Sequence, residues 1–142
     1  MNHILKYTNN PELGKLFLRL SVGLVFLNAG LIKIGNIEQV IGFFSTLGFS
    51  AWLAYLVAYI EFLGGLSLLL GLAVRYSSVL LTVTMLIATL KVHLPNGYSL
   101  KAGGYEYTLA LMLGSLAIMY LGSGRYSLDR LLPKFLTKKP SV

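Results

Sequence analysis

Long apolar runs, separated by short polar stretches, dominate this chain. Four runs come close to the length of about 20 helical residues that crosses ~30 Å of bilayer hydrocarbon, and they lie at about residues 13–34, 51–73, 76–94 and 105–121. This pattern predicts an all-α, polytopic membrane protein whose four transmembrane helices form an antiparallel bundle. We expect residues 1–142 to form a single transmembrane domain.

The polar links between the runs carry patterns of their own. In "GNIEQVIGFFSTLGFS", Val40, Phe43 and Phe44 recur at helical spacing, but the stretch is too short to cross a bilayer. It predicts a short interfacial helix between spans 1 and 2, lying at the outer surface of the membrane. The second and third runs are separated only by "VRY", which predicts a tight hairpin.

Composition strengthens the membrane interpretation. Hydrophobic residues make up 56% of the chain and charged residues 12%, whereas soluble proteins have roughly 25% charged residues. There is no cysteine, which excludes thiol relays and thiolate metal sites carried by this chain.

The positive charges are concentrated at one end of the predicted bundle. Of the twelve lysines and arginines, only Lys33, Lys91 and Lys101 lie at the end opposite the termini. Cytoplasmic loops carry the excess of lysine and arginine, so both termini should be cytoplasmic. The net charge of +7 is then explained by topology and by anionic lipid headgroups, and nucleic acid is not an expected partner.

The second span carries a carboxylate, Glu61, near its centre. An ionised carboxylate at this depth is costly unless it is paired or hydrated. Glu61 belongs to a stripe of mostly small residues at steps of three and four: Ala54, Ala58, Glu61, Gly65 and Leu68. Small residues let membrane helices approach closely, so this stripe should face the bundle. Glu61 is then either a functional polar centre or a protonated carboxyl that serves packing alone.

The first span has a matching face formed by Arg19, Gly23, Gly30 and Lys33. Lys33 can reach a carboxylate in the outer half of the bundle. Arg19 lies near the inner boundary, where it either anchors the helix or makes a structural ion pair. Asn28 points the other way and is left out of the site.

The third span ends in a stripe of Thr82, Leu86, Thr89 and His93, which predicts that His93 points inward and Lys91 outward. Beyond it, Gly103 and Gly104 permit a bend that brings Glu106 back beside His93. Glu106 is also favoured in the first turn of a helix by the macrodipole, which alone would explain it.

These predictions converge on one site in the outer half of the bundle. Lys33, Glu61, His93 and Glu106, one from each span, would form a small-ligand or proton-relay site in apolar walls. Asn96 and Tyr105 are further ligand-binding candidates, and Gly64 and Gly65 are structural ones beside Arg19, Gly103 and Gly104. Metal is disfavoured, because no pair of ligands at helical spacing supports it.

Several stretches together resemble the DoxX family of small bacterial membrane proteins. They are "LRLSVGLVFLNAGLIKIG", "EFLGGLSLLLGL", "HLPNGY", "GGYEY" and "GSGRYSLDRLL", and they cover most of residues 13–132. The resemblance implies a four-helix bundle in the bacterial inner (cytoplasmic) membrane. The family's pattern maps onto Arg19, Lys33, Glu61, His93 and Glu106.

The resemblance also implies a function. The family is named after a subunit of a thiosulfate:quinone oxidoreductase, so we expect a redox-linked protein that binds a quinone or serves as a membrane subunit of an oxidoreductase complex. Glu61, His93 and Glu106 would be the catalytic candidates, which hydrogen-bond the ligand or transfer protons. Other redox subunits or a second copy in a homodimer would be the partners.

Two alternatives stay open. One is a non-enzymatic chaperone or assembly protein for other membrane proteins, and the other is a small-solute or proton-coupled carrier. The sequence contains no haem, flavin or iron–sulfur motif, so whether the chain is itself an enzyme is left open.

Overall fold

A computed structural model describes residues 9–132, and within that range it contains helices and no strand. The five α-helices are α1 (Pro11–Gly35), α2 (Ile37–Thr46), α3 (Ala51–Leu70), α4 (Val74–Ala88) and α5 (Glu106–Leu121). α4 continues into a π-helical turn, Thr89–His93, and a 3₁₀ turn, Leu94–Asn96; further 3₁₀ turns are Leu100–Ala102 and Leu128–Arg130. The all-α prediction is confirmed.

Three helical segments of the described chain are long and apolar enough to cross a membrane. They are α1 with 25 residues, α3 with 20, and the continuous segment Val74–Asn96 with 23. α5 is apolar but has only 16 residues, which is about 24 Å at 1.5 Å per residue. The protein is therefore a helical membrane protein, and the fourth span is still a prediction.

The helices pack as a bundle in which α1 lies against α3, and α4 against α5. α3 also contacts α4, and α1 contacts α5, while α2 lies mainly against α3. The apolar core between them is formed by Val22, Phe26, Leu68, Val74, Leu81, Met85 and Ile118. The end that carries α2 and the loop after Asn96 is called the outer end below, and the opposite end the inner end.

The backbones of α1 and α3 touch at glycines. A Cβ on Gly30 would lie 2.5 Å from the Phe62 Cα, and a Cβ on Gly65 would lie 2.8 Å from both the Leu27 Cα and the Gly23 carbonyl oxygen. The whole predicted stripe of α3, from Ala54 to Leu68, is buried. The predicted small-residue contact is therefore confirmed, and it brings the two helices closer than side chains would allow.

Two local predictions around α4 are wrong. The buried face is formed by Val74, Ser78, Leu81, Met85 and Thr89, and Leu86 of the predicted stripe is 42% exposed. The face is turned because Leu81 packs on Gly64 of α3, where a Cβ would lie 3.0 Å from it. The hairpin link is also earlier than "VRY", since α3 ends at Leu70, Gly71 follows with a left-handed φ of 72°, and α4 begins at Val74.

Arg19 connects several segments at the inner end by hydrogen bonds to their backbone carbonyls. Arg19 is 1% exposed, and its guanidinium donates hydrogen bonds to the carbonyls of Leu68 and Tyr126, both at 2.9 Å, and to that of Ser123. The Leu68 carbonyl belongs to the last turn of α3, whose carbonyls lack intrahelical partners. Arg19 thus caps backbone carbonyls; within residues 9–132 it makes no direct ion pair, and it does not reach out to the surface.

Two carboxylates complete this inner end. Asp129 accepts hydrogen bonds from the backbone N–H groups of Ala73 at 2.6 Å and Val74 at 3.2 Å, which caps the start of α4. Glu12 accepts one from the Arg125 N–H at 2.5 Å and pairs with Lys15 at 2.7 Å. The segment after α5 is therefore hydrogen-bonded to α1 and to the start of α4, and Arg19 links it to the end of α3.

We predict that Gly30→Ala lowers the free energy of unfolding by about 1–3 kcal/mol, because the added methyl group must push α1 away from α3. The control is Gly42→Ala in α2, where a Cβ meets nothing within 4 Å. Thermal unfolding in detergent or nanodiscs measures both. Equal melting temperatures for the two variants would contradict the close contact.

We predict that Arg19→Met destabilises the protein by about 1–3 kcal/mol, because buried carbonyls lose their donor. Arg130→Met is the matched control, since Arg130 is exposed and its side chain makes no hydrogen bond within residues 9–132. Thermal unfolding again provides the measurement. A loss for Arg130→Met as large as that for Arg19→Met would assign the effect to net charge instead.

Candidate functional site

A cavity of about 430 Å³ lies in the outer half of the bundle. Residues from all five helices line it, and most are apolar. α2 and the link after it close one side with Phe43, Phe44, Leu47 and Phe49. The volume is within the range of small-molecule sites, about 300–1,000 Å³.

An ion pair between α1 and α3 forms part of the cavity wall. The Lys33 ammonium donates to Glu61 Oε2, and both residues line the cavity. Glu61 is 2% exposed and Lys33 29% exposed, so the carboxylate is enclosed while the ammonium reaches it from the outer side. A buried carboxylate with a hydrogen-bonded cation avoids the cost of an isolated charge in an apolar region.

His93 lines the cavity at its outer edge. Its ring Nδ1 donates to the Gly103 carbonyl at 2.8 Å; because a carbonyl can only accept, Nδ1 must carry the hydrogen in this contact. In the neutral ring, Nε2 is then left as a proton acceptor. The loop thereby sets the tautomer of the histidine.

The other candidates of the loop do not line the cavity. Glu106 Oε2 accepts a hydrogen bond from the Leu100 N–H at 3.0 Å, and Asn96 Nδ2 donates to the Gly103 carbonyl at 3.2 Å. The Tyr105 ring packs edge-on against Tyr98, with ring centroids 5.5 Å apart. These three residues belong to the loop whose Gly103 carbonyl is bonded to His93.

Two glycines shape this loop. Gly103 has a φ of 75°, and a Cβ on Gly104 would lie 2.6 Å from the Tyr98 carbonyl oxygen. The bend expected from "AGG" is therefore present, and it delivers the Gly103 carbonyl to His93. Glu106 returns to the loop, bonded to Leu100, rather than to the cavity.

Sequence reasoning missed several parts of the wall. Tyr107 and Thr108 of α5 line the cavity, although Tyr107 resembles any aromatic residue of a membrane interface. Lys91, which we expected to face outward, is exposed but also lines the cavity mouth, since a long lysine stem can follow an apolar surface. The helical spacing of Phe43 and Phe44 predicts the helix α2, but it does not show that α2 lines the cavity.

The cavity lining also reaches the surface of the bundle. Leu56 of α3 and Leu80, Val83 and Ile87 of α4 are between 44% and 51% exposed. Phe43 of α2 and Tyr107 of α5, which line the cavity too, are 48% and 45% exposed. The exposed apolar lining of α3 and α4 belongs to segments that are long enough to cross a membrane, where such a surface lies against lipid.

More than half of the chain matches the model of a known protein family. The DoxX family model matches residues 14–94, which span α1 to the end of the π-helical turn. This chain belongs to the DoxX family. The matched region contains Arg19, Lys33, Glu61 and His93, whereas Glu106 lies beyond it.

Three relatives cover most of this DoxX chain. "Putative oxidoreductase CatD" of Bacillus subtilis is 35% identical over 83% of this chain and 86% of its own. The membrane protein Rv3486 of Mycobacterium tuberculosis is 33% identical over 84% and 82%, and the inner membrane protein YqjF of Escherichia coli is 27% identical over 87% and 95%. No solved structure matches the chain.

We predict that Glu61→Gln and Lys33→Met each destabilise this DoxX protein by about 1–3 kcal/mol. Glu61→Gln leaves the Lys33 ammonium without its counter-ion, and Lys33→Met leaves the buried Glu61 carboxylate without its donor. The double variant should lose less than the sum of the two. Thermal unfolding of the four proteins in nanodiscs completes the cycle. Strict additivity would show that the two side chains do not interact.

Proposed function

We propose that this DoxX protein binds a quinone, or a similar lipid-soluble redox-active molecule, in the outer cavity. It would act as a redox-linked protein or as the membrane subunit of an oxidoreductase complex in the bacterial cytoplasmic membrane, with both termini in the cytoplasm. The observation that carries the proposal is one cavity whose lining combines exposed apolar residues of α3 and α4 with the Lys33–Glu61 pair.

The chemistry of the polar lining fits a quinone head group. Lys33, Lys91 and Tyr107 supply donors for carbonyl oxygens, while Glu61 and the free His93 Nε2 supply acceptors for the hydroxyl groups of the reduced form. The apolar walls suit the ring, and a hydrophobic tail would leave the cavity past the exposed apolar lining of α3 and α4. A bound quinone would supply the electron-carrying couple.

Residues of this chain would bind and transfer the protons. Glu61 can hold a proton only by giving up its charge interaction with Lys33, so the pair ties the carboxylate's protonation to what occupies the cavity. His93 can accept a proton at Nε2 while Nδ1 stays bonded to the loop. Since the loop is exposed, His93 offers a route to water on the outer side.

The relatives support the redox and membrane parts of this proposal. CatD carries the word oxidoreductase in its name, and YqjF is named an inner membrane protein. The excess of lysine and arginine at the inner end supports cytoplasmic termini. Because the chain has no cysteine, the partner that exchanges electrons with the ligand would be a separate protein.

The test is quinone binding by the purified protein. We expect quinone in an organic extract of the protein and a saturable rise in melting temperature with a short-tailed quinone. Lys33→Met and Glu61→Gln should each weaken binding about tenfold, the effect of losing about 1.4 kcal/mol of hydrogen bonding to the head group.

Lys101→Met is the matched control, because Lys101 is exposed in the loop and does not line the cavity. The proposal fails if no quinone is extracted and none shifts the melting temperature. It also fails if the Lys33 and Lys101 variants bind equally well. Unchanged cellular function in Glu61→Gln and His93→Ala variants would favour the assembly role instead.

A further inference from the structure

The outward side of α1 carries polar groups on a surface that otherwise faces lipid. Seven of its exposed residues follow one another at alternating steps of three and four: Gly14, Phe17, Ser21, Leu24, Asn28, Leu31 and Gly35. This line lies on the side of α1 opposite Gly23 and Gly30, which touch α3. Asn28 is seven residues, or about 10 Å, below the outer end of α1, at hydrocarbon depth.

The Asn28 amide has no hydrogen-bond partner among residues 9–132, although it is exposed at that depth. Thr84, on the surface of α4, shows the usual solution, because its hydroxyl donates to the Leu80 carbonyl of its own helix at 2.9 Å. An asparagine amide left in hydrocarbon loses its hydrogen bonds with water and gains none. Such side chains in membrane helices bond across to another helix.

We propose that this face of α1 is the interface of a homodimer in which the two Asn28 amides bond to each other. Copies of one chain share their orientation in a membrane, so a two-fold axis along the membrane normal places each residue opposite its own copy at the same depth. An amide has donors and an acceptor and is therefore complementary to itself. A different protein would pair with Asn28 only if it carried a hydroxyl or an amide group at the same depth in the membrane.

The spacing of the face fits the pairing of two parallel helices. Alternating steps of three and four produce a seam that packs against its copy at about 20°. Phe17, Leu24 and Leu31 then form the apolar seam, and a polar asparagine within such a seam fixes the register of the pair.

The dimer would leave the cavity accessible. The partner would cover the α1 surface that faces away from α3, and no residue of that surface lines the cavity. Dimer formation is therefore independent of the proposed ligand, and either proposal can fail while the other stands.

The absence of cysteine permits a direct test by crosslinking single-cysteine variants. Leu24→Cys places a thiol on the seam, and Leu86→Cys places one on α4, at an exposed position that does not line the cavity. Both proteins are purified, reconstituted in vesicles at increasing lipid-to-protein ratios and treated with a short bismaleimide. We expect a covalent dimer from Leu24→Cys that persists on dilution, and only collisional crosslinks, lost on dilution, from Leu86→Cys.

The amide is tested by its own variants. Asn28→Leu should raise the dimer dissociation constant about threefold to thirtyfold, the range measured for interhelical hydrogen bonds in membranes, whereas Asn28→Gln, which keeps the amide, should restore dimerisation. Energy transfer between labelled copies in vesicles measures the constant. The monomer's melting temperature should not change, since Asn28 makes no hydrogen bond within its own chain's described part.

Three results would overturn the proposal. One is a monomer at every lipid ratio, and another is equal crosslinking at Leu24 and Leu86. The third is a crosslink from Leu24→Cys to a different protein in native membranes while the purified protein stays monomeric, which would assign the face to that protein.

Discussion

The close approach of α1 to α3 is the contact on which the rest of this structure depends. Apolar side chains gain little by leaving lipid for the protein interior, so membrane helices associate through close van der Waals packing and hydrogen bonds. Gly30 and Gly65 provide that packing. Lys33 follows Gly30 by three residues, and Glu61 precedes Gly65 by four, so each charged group shares a face with the glycine beside it. The contact that joins the helices therefore also joins the ion pair.

The polar groups of the bundle are divided between its two ends, and the two ends behave differently. At the inner end, Arg19 and Asp129 bond to the backbone ends of helices, which need partners wherever water is excluded. At the outer end, Lys33 and Glu61 bond to each other in the cavity wall, and His93 Nε2 makes no hydrogen bond within residues 9–132. Polar groups whose hydrogen bonds are made to the backbone of the protein stabilise the fold. Polar groups beside a cavity that can still donate or accept a hydrogen bond can bind a ligand. This difference is the reason for placing the candidate site at the outer end.

Helical periodicity predicted the buried face of α3 correctly, but it misplaced the face of α4 and could not predict contacts made by loops. It correctly placed Glu61 with Ala58 and Gly65 on the buried face of α3, because the angle around a helix axis follows from sequence spacing. It could not show that Glu106 would bond to the Leu100 backbone, since that depends on the path of an irregular loop. The stripe of α4 was misplaced at Leu86 because the packing of Leu81 on Gly64 set the rotation of that helix.

The sequence by itself determined that the chain is a helical membrane protein, that its DoxX motifs lie in order, and that Glu61 lies on the small-residue face of its helix. These properties follow from hydrophobicity and from the spacing of residues along single helices. Only the tertiary structure decided that α2 lines a cavity, that exposed residues of α3 and α4 line it too, and that Tyr107 belongs to its wall. Those features depend on how separate helices are shifted and turned against one another, and no pattern within a single helix encodes that arrangement.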